Sequence, residues 1–249
     1  LNNLFKGTVI KNQALTEGIY LISLKIPQSI DAKPGQFFML RLNERLDPFL
    51  GRPFSIFDLQ GDRISFLYRV RGKGTKILSN LYESEEIQIT GPFGKWYPFP
   101  KDDYTVIAGG IGLASVFFLM KKFPQRAYLF YGTREKREIL FYDELRKITK
   151  SIFISTECGS IEYRGIVTDV FKEKGLDLNL PIYACGPIGM IKELRNLLKN
   201  KKALPCYVAV EERMACGFGV CLGCVIETNN GFKRVCTEGP VFRIDELKL

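Results

Sequence analysis

The sequence predicts a β + α/β protein in three parts: an antiparallel β-barrel, a parallel-sheet α/β unit and a small C-terminal cysteine lobe. Three observations predict it. Residues 1 to about 97 hold short runs rich in β-branched and aromatic residues, broken by Gly, Pro, Asn and Asp. From about residue 98 to 204, strand-like and helix-like segments alternate, the mark of a parallel sheet. Residues 205–249 lose that rhythm and crowd four of the seven cysteines into one glycine-rich stretch. The expected boundaries are therefore 1–97, 98–204 and 205–249.

The first part is expected to hold six strands, over KGTVIKNQAL, GIYLISLKI, QFFMLRL, RPFSIFDL, RISFLYRV and EEIQITGPFG. In the second part, YTVIAGG, RAYLFYGT, SIFISTE and PIYACGP read as buried strands. GLASVFFLMKKF, REILFYDELRKI, IVTDVFKEKG and IGMIKELRNLLKN read as helices. Ile188, Ile191, Leu194, Leu197 and Leu198 recur at helical spacing.

A chain of 249 residues with 46% hydrophobic and 25% charged residues has the makeup of a soluble globular protein. Its longest apolar run, Val106 to Met120, is too short and too glycine-rich to span a bilayer. Leu1 to Lys6 carries no secretory signal, so a cytoplasmic protein with no membrane attachment is expected. The net charge of +9 is spread along the chain rather than gathered in a patch. It suits anionic cofactors on a solvated surface and predicts no nucleic-acid partner. With no histidine, Ser-His and Cys-His nucleophiles are excluded.

The cysteine stretch is spaced Cys216-x4-Cys221-x2-Cys224-x11-Cys236. Zinc ribbons present two separated C-x2-4-C pairs. Three thiols within nine residues and a distant fourth match the C-x4-C-x2-C…C spacing of [2Fe–2S] sites. Gly217, Gly219 and Gly223 let backbone N–H groups approach the sulfurs. A zinc lobe on a non-redox binding module is the competing reading. The isolated Cys158 and Cys206 read as small core residues.

Two further constellations point to nucleotides. In Arg52-Pro53-Phe54-Ser55, Arg52 offers a fork for a diphosphate, Phe54 a flat face for an isoalloxazine and Ser55 a hydrogen bond to its edge. Pro53 marks an edge or bulge. One strand later, Leu67, Tyr68 and Arg69 precede Gly74 and Thr75, which open a helix able to bind phosphate. Together these residues form a candidate flavin site. Gly109, Gly110 and Gly112 end a strand and open a helix, as in a pyrophosphate-binding turn, or serve only close strand–helix packing. Arg134, Cys185 and Gly186 end later strands, where α/β sheets bind ligands. They complete a candidate nicotinamide nucleotide site.

RPFS, GGIGLAS, YGTR and CGP resemble the ferredoxin–NADP reductase superfamily. ERMACGFGVCLGC with VCTEGPVF looks like the electron-transfer subunits of NAD-linked dihydroorotate dehydrogenase B, a resemblance that runs from Lys6 to about Leu247. It implies FAD held by Arg52–Ser55, Leu67–Arg69, Gly74 and Thr75. It implies a [2Fe–2S] cluster on Cys216, Cys221, Cys224 and Cys236, and NAD(H) as diffusible substrate. It also implies a partner catalytic subunit carrying FMN, in a heterotetramer of two copies of each chain. Electrons would run from that FMN through the cluster and FAD to NAD+, with no catalytic side chain in this chain. Phe54 stands where many superfamily members have Tyr, and a C-terminal aromatic over the flavin is absent. Arg134, Lys136 and Arg137 leave NADP open as an alternative to NAD. A hydrogenase or ferredoxin-linked transhydrogenase subunit remains the redox alternative.

Overall fold

Strands that cover a core on one face must alternate in burial. Glu86–Phe93 does so, with every second residue buried. In the computed structural model, which describes residues 3–42, 47–201 and 203–249, this strand is one of seven that form one antiparallel sheet. They are β1 (Asn3–Thr16), β2 (Ile19–Lys25), β3 (Phe37–Arg41), β4 (Arg52–Ser55), β5 (Asp58–Gln60), β6 (Arg63–Arg69) and β7 (Glu86–Phe93). The order is β4-β3-β7-β1-β2-β6-β5.

The sheet curls until its two edges meet, and the RPFSIFDL segment is the reason. It is two strands rather than the one expected. Ile56 donates its N–H to the Gln36 carbonyl beside β3 at 3.1 Å, and Phe57 donates to Ser65 in β6 at 3.0 Å. The chain thus steps from one edge of the sheet to the other within two residues. Phe54 packs across the seam, 6.4 Å from the Phe66 ring and 5.7 Å from the Tyr68 ring. Among the described residues no ladder joins β4 to β6, so the sheet is not a closed barrel of strands as expected, and its edges are linked by this step and these side chains. α1 (Lys73–Ser79) follows, where Thr75 Oγ1 accepts the N–H groups of Arg71 and Gly72 at 2.8 and 3.1 Å.

The second sheet begins with β8 (Tyr104–Gly109), α2 (Leu113–Lys122), β9 (Ala127–Thr133), α3 (Tyr142–Ile148), β10 (Ser151–Thr156) and β11 (Tyr163–Arg164). It continues through α4 (Val167–Lys174), β12 (Ile182–Cys185), α5 (Ile188–Leu197) and β13 (Cys206–Ala209). A hairpin of β14 (Val225–Thr228) and β15 (Gly231–Arg234), the short α6 (Val235–Glu238) and β16 (Val241–Arg243) complete the chain. The sheet order is β11-β10-β9-β8-β12-β13-β16, parallel except for β16. It therefore draws in β13 and β16 from the stretch that the sequence groups as 205–249.

The helix expected over REILFYDELRKI is shorter. A 3-10 turn at Lys136–Glu138 gives way to extended backbone at Ile139, and Phe141 opens α3 at φ +56°. Ile139, Leu140 and Phe141 are three consecutive apolar residues, which a helix would scatter over different faces. The extended path buries Leu140 and brings Phe141 within 4.9 Å of Phe57.

Three apolar clusters hold the parts together. One fills the barrel with Ile22, Leu24, Phe38, Phe66 and Ile89. The second joins the barrel to one face of the parallel sheet, with Phe57 stacked on Phe117 of α2 at 4.1 Å. The third covers the other face and continues into the tail, where Cys224, Val235 and Cys236 pack with Phe37, Met39 and Phe93 of the barrel. No helix among the described residues is long and apolar enough to cross a membrane.

Candidate functional site

Strand order decides where a parallel sheet can take a ligand. From β8 the chain builds outward through β9 and β10, then returns to place β12 on the other side of β8. The switch point lies between the carboxyl ends of β8 and β12, and a crevice is expected there. A cleft of about 670 Å³ opens at that point. Gly109, Gly110, Gly112, Arg134 and Gly186 line it.

The residues of the glycine turn differ in what surrounds them. A Cβ on Gly112 would come within 2.2 Å of the Cys185 carbonyl oxygen, so that glycine serves close strand packing. A Cβ on Gly110 would meet nothing within 4 Å, so Gly110 borders open space in the cleft. Cys185 differs from its expected position. Its side chain is 2% exposed, faces the core with Tyr183 and Leu113, and does not line the cleft. Burial, then the charge of Glu211, push its thiol well above the usual range. The alternation of β12 is the cause: Ile182 and Ala184 face the opposite core.

Barrel residues form the other wall. Arg69 and Arg71 line the cleft, and Arg69 forms a 2.7 Å ion pair with Glu138 from the turn after β9. Glu138 also accepts the Arg134 N–H at 3.2 Å. Burial raises the Glu138 carboxyl, but hydrogen bonding to Arg69 and its charge outweigh that and hold it below the ordinary carboxylate value. Arg69, Glu138 and Arg134 thus meet at the cleft mouth, a convergence across 69 residues of sequence that local motifs did not reveal. Glu157, just beyond β10, also lines the cleft and had no sequence signal.

The flavin candidates gather around the free edge of β4. Arg52, Pro53, Phe54 and Ser55 are all half-buried. The Arg52 guanidinium lies against Gly74, where a Cβ would come within 2.3 Å of Arg52 Nε. The structure thereby joins Arg52 to the helix start at Gly74 and Thr75. Leu67 faces the core shared with α2, whereas Tyr68 faces the barrel interior and donates its O–H to Asn12 Oδ1 at 3.1 Å. Tyr68 is 2% exposed. Of these three β6 residues, Arg69 alone is among those lining the cleft.

The tail carries the thiols. Cys216 is half-buried, Cys221 exposed, and Cys224 and Cys236 buried. Cys236 sits in α6, and its N–H donates to Cys224 Sγ at 3.4 Å. The Gly223 N–H donates to Cys221 Sγ at 3.4 Å. Burial would raise the Cys216 thiol, but the N–H groups of Cys221, Phe218 and Val220 and the Cys221 side chain bring it down to about 6. Burial, the Cys224 side chain and the charge of Cys216 push Cys236 up to about 12. These contacts define two neighbouring pairs, Cys216 with Cys221 and Cys224 with Cys236. Among the described residues no group of three or more Cys, Asp or Glu gathers at one metal-ion point.

This donor set fits a two-iron cluster, whose four thiolates are shared between two irons. Backbone N–H groups aimed at sulfur stabilise the thiolate form that such a centre needs. The VCTEGP segment braces the loop. Glu238 accepts the Arg234 N–H at 2.9 Å and its Nε–H at 3.2 Å, and Arg234 Nη1 donates to the Gly219 carbonyl at 3.2 Å. Of the isolated cysteines, Cys206 is a core residue as expected, but Cys158 is exposed, in the loop beyond β10.

Comparison with known proteins follows the same division. A solved NADH-dependent reduced ferredoxin-NADP oxidoreductase superimposes with a TM-score of 0.84 at 25% identity, over 97% of this chain and 89% of that one. A ferredoxin-NADP+ reductase of Plasmodium falciparum superimposes with a TM-score of 0.71 at 17% identity, over 84% of this chain and 96% of that one. The fold is thus that of the ferredoxin–NADP reductase-like oxidoreductases. A family model described as the iron-sulfur cluster binding domain of dihydroorotate dehydrogenase B matches residues 211–248. The dihydroorotate dehydrogenase B (NAD(+)) electron transfer subunit of Clostridium acetobutylicum is 39% identical, over 97% of this chain and 96% of that one. Its homolog in Aquifex aeolicus is 36% identical over 97% of each chain. The chain belongs to the family of dihydroorotate dehydrogenase B electron transfer subunits.

Proposed function

We propose that this chain is the NAD+-linked electron-transfer subunit of a cytoplasmic dihydroorotate dehydrogenase in pyrimidine biosynthesis. It works beside an FMN-containing catalytic subunit, in a heterotetramer of two copies of each. The oxidation of dihydroorotate belongs to the partner. The [2Fe–2S] cluster and FAD supply single-electron and hydride chemistry to this chain when bound.

The chain's own residues bind, orient and insulate. Cys216, Cys221, Cys224 and Cys236 hold the cluster, and the surrounding N–H groups keep the thiolates ionised. Arg52 meets the FAD diphosphate next to Gly74 and Thr75, where α1 begins, and Phe54 presents its ring to the isoalloxazine. Pro53 and Ser55 shape the same strand edge, and Leu67, Tyr68 and Arg69 back it. NAD(H) occupies the switch-point cleft, with its pyrophosphate over Gly109, Gly110 and Gly112. Gly186 leaves room beside that turn, and Cys185 acts from beneath, as packing. Three working units follow: a flavin barrel, a nucleotide sheet and a cluster lobe.

NAD is favoured over NADP. Arg137 is engaged by Glu17 at 3.2 Å and by Glu135 at 2.8 Å, and neither it nor Lys136 lines the cleft. Glu157 does, beside Arg134. A carboxylate there accepts a ribose 2′-hydroxyl and repels a 2′-phosphate.

The observation that carries this reading is the packing of Gly217, in the cysteine loop, directly on Met39, which pairs with Pro53 of β4. The lobe and the flavin strand are thereby one side chain apart. The test is anaerobic purification with iron, sulfide and flavin analysis, followed by assay of dihydroorotate-dependent NAD+ reduction with the catalytic partner. Zinc, or no metal, in the tail overturns the reading. A fully loaded complex inert to dihydroorotate moves the chain to a ferredoxin-linked transhydrogenase or hydrogenase subunit.

A further inference from the structure

Buried hydroxyls nearly always have a partner, and those without one point to a group that the protein alone does not supply. Thr237 Oγ1 is buried and has no hydrogen-bond partner. Thr105 in β8 and Thr168 in α4 are likewise buried without a partner, but Thr237 is the one of the three that lies beside the cysteine loop, and other threonines are satisfied locally. Thr149 donates to the Leu145 carbonyl four residues back, at 2.7 Å, and Thr228 donates to Gly231 at 2.7 Å. Thr237 lacks the first of these options. Its helix, α6, is four residues long, and Lys233, four residues back, lies in β15.

The surroundings of this hydroxyl are the cysteine loop. Thr237 follows Cys236 directly. Across from it lies Gly219, where a Cβ would sit 2.8 Å from Thr237 Cγ2 and 3.4 Å from Thr237 Oγ1. Thr237 therefore stands between the Cys216–Cys221 segment and Cys236. It is a side-chain O–H where its neighbours offer backbone N–H.

Resting on the cluster assignment above, we propose that the Thr237 hydroxyl donates a hydrogen bond to a sulfur of the [2Fe–2S] cluster and raises its reduction potential. One-electron reduction adds a negative charge to the cluster. A donor at sulfur stabilises the reduced form more than the oxidised one. Thr237 is thus a tuning residue that acts on the cluster and binds no iron.

The experiment uses the full chain, purified without air, with the cluster midpoint potential followed by electron paramagnetic resonance and visible absorption. Thr237→Val keeps the shape and removes the hydroxyl. It is expected to keep full iron and to weaken reduction about fivefold, or about 40 mV at about 59 mV per tenfold for one electron. Thr237→Ser restores the hydroxyl and is expected to stay near the wild-type potential. A valine chain with full iron and the wild-type potential overturns the proposal. Should valine cost the cluster, Thr237→Ala replaces it: alanine lower than serine supports the tuning role, and the two alike overturn it. A wild-type chain without a [2Fe–2S] signal instead overturns the cluster assignment itself.

Discussion

Gly217 is packed directly on Met39: a Cβ at position 217 would lie 2.5 Å from Met39 Cγ. Gly217 follows the first cysteine of the loop, and Met39 pairs with Pro53 on the candidate flavin strand. This contact sets how closely the cysteine lobe sits against the barrel. Gly217 also has φ +79°, which a side chain resists. Gly217→Ala is therefore expected to destabilise the lobe by about 1–3 kcal/mol and to reduce retained iron. Adding Met39→Ala relieves the clash but not the backbone strain, so rescue is expected to be partial. Iron content and thermal melts of the single and double variants check this; full rescue would show that φ is not limiting.

Two glycine-to-alanine changes should behave differently because of what they meet. At Gly112 the added Cβ would lie 2.2 Å from a backbone oxygen, that of Cys185. At Gly74 it would lie 2.3 Å from the end of a flexible side chain, Arg52. Gly112→Ala is expected to cost several kcal/mol, roughly 3 or more, because backbone cannot move aside cheaply. Gly74→Ala is expected to leave the fold intact but displace Arg52, weakening FAD retention about tenfold. Melting curves and FAD content after dialysis separate the two outcomes.

Cys221→Ser removes one proposed ligand from an exposed position in the loop. It is expected to lose cluster iron and partner-dependent reduction, while NADH oxidation by an artificial flavin-directed acceptor largely survives. Unchanged iron and unchanged partner-dependent activity would remove Cys221 from the ligand set.

The Arg69–Glu138 pair joins the barrel to the parallel sheet and is half-buried. The Glu138 carboxyl, raised by burial but lowered further by Arg69, sits below its ordinary value. Its contribution is complete above the unfolded-state value of about 4.3 and is lost as pH falls through the lower folded-state value. Glu138→Gln is expected to cost about 1 kcal/mol at pH 7. The gap to wild type should hold down to about pH 5 and narrow by about pH 4. Thermal melts across that range test the sign, and a gap that widens on acidification contradicts it.

Glu157→Gln removes a carboxylate from the β9–β10 end of the cleft. Its KM for NADPH is expected to fall about tenfold relative to that for NADH, as repulsion of the 2′-phosphate is removed. An unchanged ratio would take Glu157 away from the ribose.

The four thiols were legible before any fold was known because a loop that wraps a cluster is local, and its spacing survives in the linear chain. The parallel sheet was legible for a similar reason: β8, β9, β10 and β12 are apolar runs bounded by turns. REILFYDELRKI was less so. Its composition favours a helix, but the aromatic packing of Phe141 on Phe57 and Phe117 overrides that preference.

By itself the sequence determined the barrel-then-sheet order, the glycine turn at the end of β8 and the cysteine quartet, since each rests on neighbours within a dozen residues. The tertiary structure decided what depends on distant residues meeting. It brought Arg52 to Gly74, Arg69 to Glu138 and Gly217 to Met39, turned the Cys185 side chain into the core, and left the Thr237 hydroxyl without a partner. Local spacing is written in the chain, whereas these contacts follow from how two sheets and a loop pack around shared apolar cores.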